Sequence, residues 1–235
     1  MNDILTSRFF CTDDAAEQEF VFQLPIEWWS RKFEYPWAGQ FSDTSAVVLD
    51  AACGIEHPLK FYLLDHCKRT YACDLNPGLT QPGAIKKITE STFNLLGKQA
   101  FPERYLQEIQ YNLASLTALP YEDQMFDRVF CISVLEHLKD RFNRYPALRM
   151  LRPLGAWMRQ DIHDSLIEFK RVLKPYGLIV LTFDYPRINL NYLRWVVEDV
   201  GLRFAGNINF NLPHNALYCE EKNLYCFRAV LTPKE

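Results

Sequence analysis

Two aspartates stand out by their placement. Asp50 closes the apolar run Val47-Val48-Leu49 and is followed by Ala51-Ala52-Cys53-Gly54, while Asp74 closes Arg69-Thr70-Tyr71-Ala72-Cys73 and is followed by Leu75. An acid after a buried strand, then small residues and a glycine, describes a chain leaving a sheet through a tight turn whose backbone can approach a ligand closely. Between the two acids Pro58 suits a first helical turn, and Leu59, Phe61, Tyr62 and Leu63 supply an apolar face. The stretch from Ala46 to Asn76 therefore reads strand, turn, helix, strand. In an open α/β sheet such strand ends line the ligand crevice. Either acid alone could equally cap a helix.

Two further groups could do chemistry. Glu136 and His137 follow the apolar run Val129 to Val134, and an imidazole there could act as a general base, since its ordinary pKa lies near neutrality. It could equally begin a helix and bond to backbone. From Lys139 to Arg159 the chain carries Lys139, Arg141, Arg144, Arg149, Arg152 and Arg159 against Asp140 alone. Arginine presents a planar fork that suits phosphate or carboxylate, although a charged run can also be a solvated face. The seven cysteines are scattered without a C-x-x-C pair or metal-like spacing with histidine, and their odd number fits a reducing compartment.

These groups need elements to hold them. Val129 to Val134 and Leu178 to Phe183 are near-continuous apolar runs, as expected of central parallel strands covered on both faces. A helix is expected from about Thr80 to Gln99, and Glu108 to Tyr111 gives a third, short strand. Asp161 to Leu173 places Ile162, Leu166, Phe169 and Leu173 on one helical face. After Asp184-Tyr185-Pro186, a helix from Asn189 to Val200 precedes strands near Arg203 to Phe210 and Leu224 to Leu231. Joined by a loop alone, those two must pair antiparallel. Met1 to Ser45 reads as a prefix outside the sheet, with a helix starting at Asp13 and Asp14 and an aromatic segment from Trp28 to Trp37. Those rings either pack the prefix onto the sheet or roof the crevice.

In this order the motifs resemble those of class I S-adenosylmethionine-dependent methyltransferases. Val47 to Gly54 resembles the family's first cofactor motif, Asp74 its second, Phe126 to His137 its fourth strand with an "LEH" ending, and Phe169 to Thr182 its "RVLKPGG" helix, turn and strand. The resemblance implies a Rossmann-like, doubly wound α/β sheet of seven strands, mostly parallel, with one antiparallel strand near the C-terminus. It implies S-adenosylmethionine as cofactor, without a metal. Asp50 would orient the methionine amino group, backbone at Ala52, Cys53 and Gly54 would meet the amino-acid end, and Asp74 with Leu75 would hold the ribose. Asn112 and Leu113 would flank the adenine, unless Asn112 only closes an Asx turn, and the peptide groups of Cys131 and Ile132 would flank the methionine moiety. Glu34-Tyr35-Pro36-Trp37 resembles a segment preceding the first strand in some family members. On the roof reading Tyr35 would meet the cofactor and Trp37 the acceptor; separately, Arg144, Arg149 and Arg152 would meet the acceptor from a lid over 139–159, with Tyr185 also at the acceptor.

The chain departs from the family at Ala52 and Glu56, which stand where glycines are usual. A protein of the same fold that binds the cofactor weakly or not at all is the alternative. The expected organisation is one domain over 1–235, with 1–45 a prefix or lid, 46–235 the catalytic core and 139–159 a substrate lid. A chain of 235 residues with 49% hydrophobic and 14% aromatic content can bury such a core. A net charge of −3 offers no general attraction to nucleic acid or an anionic membrane. The expected setting is cytoplasmic, the expected partner a small, anionic or sugar-like acceptor.

Overall fold

The computed structural model describes residues 4–95, 100–138 and 160–234. Its prefix contributes β1 (Arg8–Phe9), the hairpin of β2 (Glu19–Phe20) and β3 (Phe22–Gln23), and helix α1 (Arg31–Gly39). Then come β4 (Val47–Ala51), α2 (Leu59–His66), β5 (Arg69–Asp74), α3 (Pro82–Thr92), α4 (Arg104–Gln107), β6 (Gln110–Leu113) and β7 (Phe126–Ile132). The last third runs α5 (Gln160–Val172), β8 (Leu173–Tyr185), α6 (Leu190–Asp199), β9 (Leu202–Phe204), β10 (Tyr218–Cys219) and β11 (Leu224–Pro233).

The sheet runs β6, β5, β4, β7, β8, β11, β1, with β9 and β10 also paired to β11. From β6 to β8 every pairing is parallel, and β11 lies antiparallel to β8, with Phe227 opposite Phe183. The chain winds outward from β4 first through β5 and β6, then through β7 and β8, so the direction of winding reverses between β4 and β7. A ligand crevice opens where strand order reverses in this way.

Period-two alternation explains the apolar runs. In β7, Val129 and Cys131 enter one core with Leu166 and Phe169 of α5 and Val196 of α6, whereas Phe130 enters the opposite core with Tyr35 of α1 and Phe61 of α2. A strand covered on both faces cannot alternate with polar residues.

Three expectations change. Among the described residues the sheet has nine strands rather than seven, and the prefix is part of it: β1 pairs antiparallel with β11, Phe9 opposite Phe227. No helix starts at Asp13 and Asp14, because the Asp14 carboxylate instead accepts from the Arg8 guanidinium and from the Cys11 N–H at 2.8 Å, closing a turn. The third parallel strand lies slightly later than expected, at Gln110–Leu113, in register with β5. The antiparallel pairing of the last strands holds, with Leu231 of β11 opposite Phe204 of β9, although β9 ends at Phe204.

Candidate active site

The turn after β4 is held by charge where glycines are missing. Ala52 and Gly54 both adopt left-handed backbone, φ +56° and +59°. For alanine that conformation costs about 1 kcal/mol, and at Gly54 a Cβ would stand 2.4 Å from the His57 ring. Two strand-end groups pin the turn: Cys53 N–H donates to the Cys73 carbonyl and Gly54 N–H to Asp74 Oδ2 at 2.9 Å. From within, the fully buried Lys60 of α2 donates through Nζ to the carbonyls of His57 (2.6 Å), Gly54 (3.1 Å) and Cys53 (3.4 Å). Burial pushes the Lys60 ammonium below the usual lysine range, opposed by nearby negative groups that include Asp50, Glu56 and Asp74. Glu56, half-buried at a glycine position of the resemblance, thus acts as one of the charges balancing Lys60.

Beside the turn, the two acids differ. Asp50 is 4% exposed, and its carboxyl is pushed up to about 7 by burial, with Lys60 opposing the shift and Asp74 reinforcing it. Asp74 sits at the rim, where its oxygens accept from the N–H groups of Gly54 and Asn76, each keeping a free lone pair. Leu75 (69% exposed) and Leu113 (52% exposed) form an apolar step on adjoining strand ends, Asp74 being opposite Leu113 in register. Asn112 turns to the other face, where its Oδ1 accepts from the Tyr121 hydroxyl at 3.2 Å. That bond engages the acceptor oxygen expected to meet the adenine.

The prefix reaches the same crevice through Glu34, which sequence reasoning passed over. Its carboxylate, 0% exposed, accepts from Arg31 at 2.9 Å, from Ser133 Oγ at 3.0 Å, from Thr182 Oγ1 at 2.9 Å and from Cys226 Sγ at 3.2 Å. One side chain thereby joins α1 to the ends of β7 and β8 and to β11. The available signal was an acid inside an aromatic segment, since a carboxylate among rings needs donors. Tyr35 is buried in the layer between α1 and α2, with its hydroxyl 2.7 Å from His57 Nδ1. The His57 ring stacks near Trp28, and burial, with Arg31 and Lys60, holds its pKa well below the usual imidazole value. Trp37 is placed for packing rather than for an acceptor: it is 3% exposed, lies edge-on to Phe10 and Phe41, and donates its indole N–H to the Ile4 carbonyl.

Beyond the ends of β7 and β8 lies a cavity of about 310 Å³. Trp28, Trp29 and Arg31 wall it on the prefix side; Ser133, Glu136 and His137 follow β7 on the other, with Asp184 of β8, Arg187 and Lys222 nearby. His137 stands exposed at the mouth, its pKa lowered by partial burial and by Arg187. Glu136 is 8% exposed: Oε1 accepts from the Asp184 N–H at 3.2 Å, while Oε2 is buried without a partner among the described residues. Burial, reinforced by Asp184 and Glu34, pushes this carboxyl up to about 8. Cys131 and Ile132 close β7, where Ile132 pairs with Thr182. Tyr185 packs edge-on against Phe9 at the end of β8 and is not part of the cavity wall. Arg144, Arg149 and Arg152, with the whole proposed lid over 139–159, lie outside the described residues.

A family profile described as a methyltransferase domain matches residues 49–181, more than half of the chain. The chain belongs to the methyltransferase-domain family. It is a class I S-adenosylmethionine-dependent methyltransferase, and its cofactor is S-adenosylmethionine. Solved structures share the fold of this methyltransferase at low identity. A TehB-like SAM-dependent methyltransferase from Corynebacterium glutamicum is 17% identical with a TM-score of 0.50, the match covering 86% of this chain and 87% of that one. The [4+2]-cyclase SpnF is 12% identical with a TM-score of 0.56, over 96% of this chain and 88% of that one. A SAM-dependent methyltransferase from Aquifex aeolicus is 15% identical with a TM-score of 0.50, over 86% and 92%. No curated protein matches the methyltransferase chain. Among the described residues, no helix is long and apolar enough to cross a membrane, and no three His, Cys, Asp or Glu side chains group to hold a metal ion.

Proposed function

We propose that this methyltransferase acts on a small acceptor, anionic or sugar-like, bound in the cavity beyond β7 and β8. The observation that carries the cofactor half of this reading is the rim at Asp74. A carboxylate with free lone pairs beside two exposed leucines suits a ribose diol followed by a flat apolar base. Asp50, buried and coupled to Asp74, suits the cofactor's ammonium, and the backbone at Ala52, Cys53 and Gly54, held open by Lys60, suits its amino-acid end. Cys131 and Ile132 would flank the methionine moiety through their peptide groups. Tyr35 acts through His57, positioning it beside the turn. Asn112 would reach the adenine only by releasing Tyr121.

S-adenosylmethionine supplies an electrophilic methyl group on a sulfonium. The protein's task is then to orient the acceptor and manage its proton. Arg31, Arg187 and Lys222 place cations in the cavity wall beside the acids Glu27, Glu136 and Asp184, and Trp28 and Trp29 give it flat apolar sides. A small molecule carrying both a carboxylate or phosphate and hydroxyl groups suits such a mixed lining. Arg144, Arg149 and Arg152 would add to the same attraction. We take the chain as one domain in which 1–45 and 139–159 flank the acceptor, working in the cytoplasm without nucleic acid or a membrane as partner.

Non-catalytic use of the fold draws on one observation: the His57 ring covers Gly54, where the cofactor's tail would approach the backbone. Calorimetric titration with S-adenosylmethionine and with S-adenosylhomocysteine separates the two readings. Binding of both is expected, and binding of neither would overturn the enzyme.

A further inference from the structure

The cavity is lined by a buried acid, one of whose oxygens no other element uses among the described residues. Glu136 sits one turn past the end of β7 and lines the cavity, its Oε1 fixed by the Asp184 N–H and its Oε2 buried and unpaired among the described residues. A buried carboxylate oxygen without a donor is an unstable arrangement, whereas a protonated one can give its hydrogen to whatever enters. The groups around it point the same way. Asp184 of β8 and Glu34 of α1 oppose ionisation, while Glu136's own backbone N–H and Arg31 of α1 favour it. Glu27 and His57 from the prefix side, and His137, Arg187 and Lys222 from the other, complete the charged and titratable lining. Burial dominates and pushes the carboxyl up to about 8. A base whose pKa lies near the working pH is the one best matched to proton transfer.

We infer that Glu136, rather than His137, is the proton acceptor of the methyl transfer: neutral in the cofactor-free protein, it ionises when positive charge enters the crevice and then takes the proton of the acceptor's nucleophile. This rests on the methyltransferase reading above. In the step, the X–H bond of the acceptor breaks and its proton passes to the Glu136 carboxylate. The electron pair left on X forms the bond to the methyl carbon, and the carbon–sulfur bond breaks with its pair remaining on sulfur. The products are X–CH3, S-adenosylhomocysteine and the neutral Glu136 carboxyl, which returns its proton to water at the mouth. The acceptor class follows: a hydroxyl or a protonated amine, and not a thioether or a tertiary amine, which have no proton to give.

The test uses the full chain and two ligands that differ by one charge. Calorimetry near neutral pH, in two buffers of different ionisation enthalpy, counts the protons released on binding. S-adenosylmethionine and S-adenosylhomocysteine both carry the ammonium, so release from Asp50 is common to both, while only the first carries the sulfonium. Wild type should release more protons with S-adenosylmethionine than with S-adenosylhomocysteine, and Glu136→Gln should bind both yet lose that difference. A difference that survives in Glu136→Gln, or that is missing in wild type, would overturn the assignment. In a second measurement, the infrared band of protonated carboxyls in the cofactor-free wild type should persist above the ordinary carboxylate range, and Glu136→Gln should remove part of it. A band that Glu136→Gln leaves unchanged also overturns the assignment. If wild type binds neither ligand, the methyltransferase reading itself fails, a result separate from either of these.

Discussion

Glu34 and Lys60 are buried charges that do for this crevice what glycine and apolar residues do elsewhere: they set where the backbone can go. Removing the partner of a buried charge costs more than the pair contributes, because the remaining ion is left without compensation. Glu34→Ala strands Arg31 beside Glu136 and frees Ser133 and Thr182 at two strand ends. A loss of about 3 kcal/mol is expected on that ground, measured as a fall in urea midpoint. At the rim the balance is reversed. Asp74→Ala leaves two N–H groups near solvent, so stability should fall by only about 1 kcal/mol, while two bonds to the cofactor's ribose are lost and affinity drops about tenfold or more. An unchanged dissociation constant would remove Asp74 from the ribose site.

The prefix is the element whose role the structure alters most. If it were only a roof, a protein lacking 1–45 would keep its sheet and lose the cofactor. Instead β1 lies on the edge of β11, α1 is pinned by Glu34 to β7 and β8, and Phe33, Tyr35 and Trp37 are buried in the same core as Phe61 of α2. Deleting 1–45 should therefore abolish cooperative unfolding and cofactor binding together, seen as loss of the sigmoidal transition by circular dichroism. A truncated protein that melts like the full chain would restore the roof reading.

Across the molecule, stability without cofactor should fall as pH rises from 6.5 to about 8.5. Asp50 and Glu136 have pKa values raised in the fold to about 7 and about 8, so the native state holds protons that the unfolded chain has already released. Their contribution is complete below the ordinary carboxylate range and is lost as pH climbs through the folded values. His57 and His137 shift downward, so their contribution still grows slightly just above 6.5 and trims the trend. With the two acids alone removing about 3 kcal/mol across that window, a net fall of about 2 kcal/mol is expected. Denaturant midpoints at the two ends check it, and Asp50→Asn with Glu136→Gln should flatten the slope.

Much of this was legible in the residues themselves. Apolar runs ending in Asp50, Asp74 and the Glu136-His137 pair place strand ends, and so the crevice, through local rules of periodicity and turn chemistry. The antiparallel β11 follows from a connection too short for a crossover. What stayed hidden depends on partners far apart in sequence. β1 has two residues and no pattern of its own, and it exists because the β11 edge offers bonds. Asn112 has a side-chain oxygen fit for an adenine, but Tyr121 stands on its face of the sheet. Tyr35, Trp37 and Glu34 occupy consecutive or nearly consecutive positions, and only packing divides them into a prop for His57, a core ring and the carboxylate that joins three strands. A side chain's type limits what it can bond to; which bond it makes is decided by what the fold brings within about 3 Å of it.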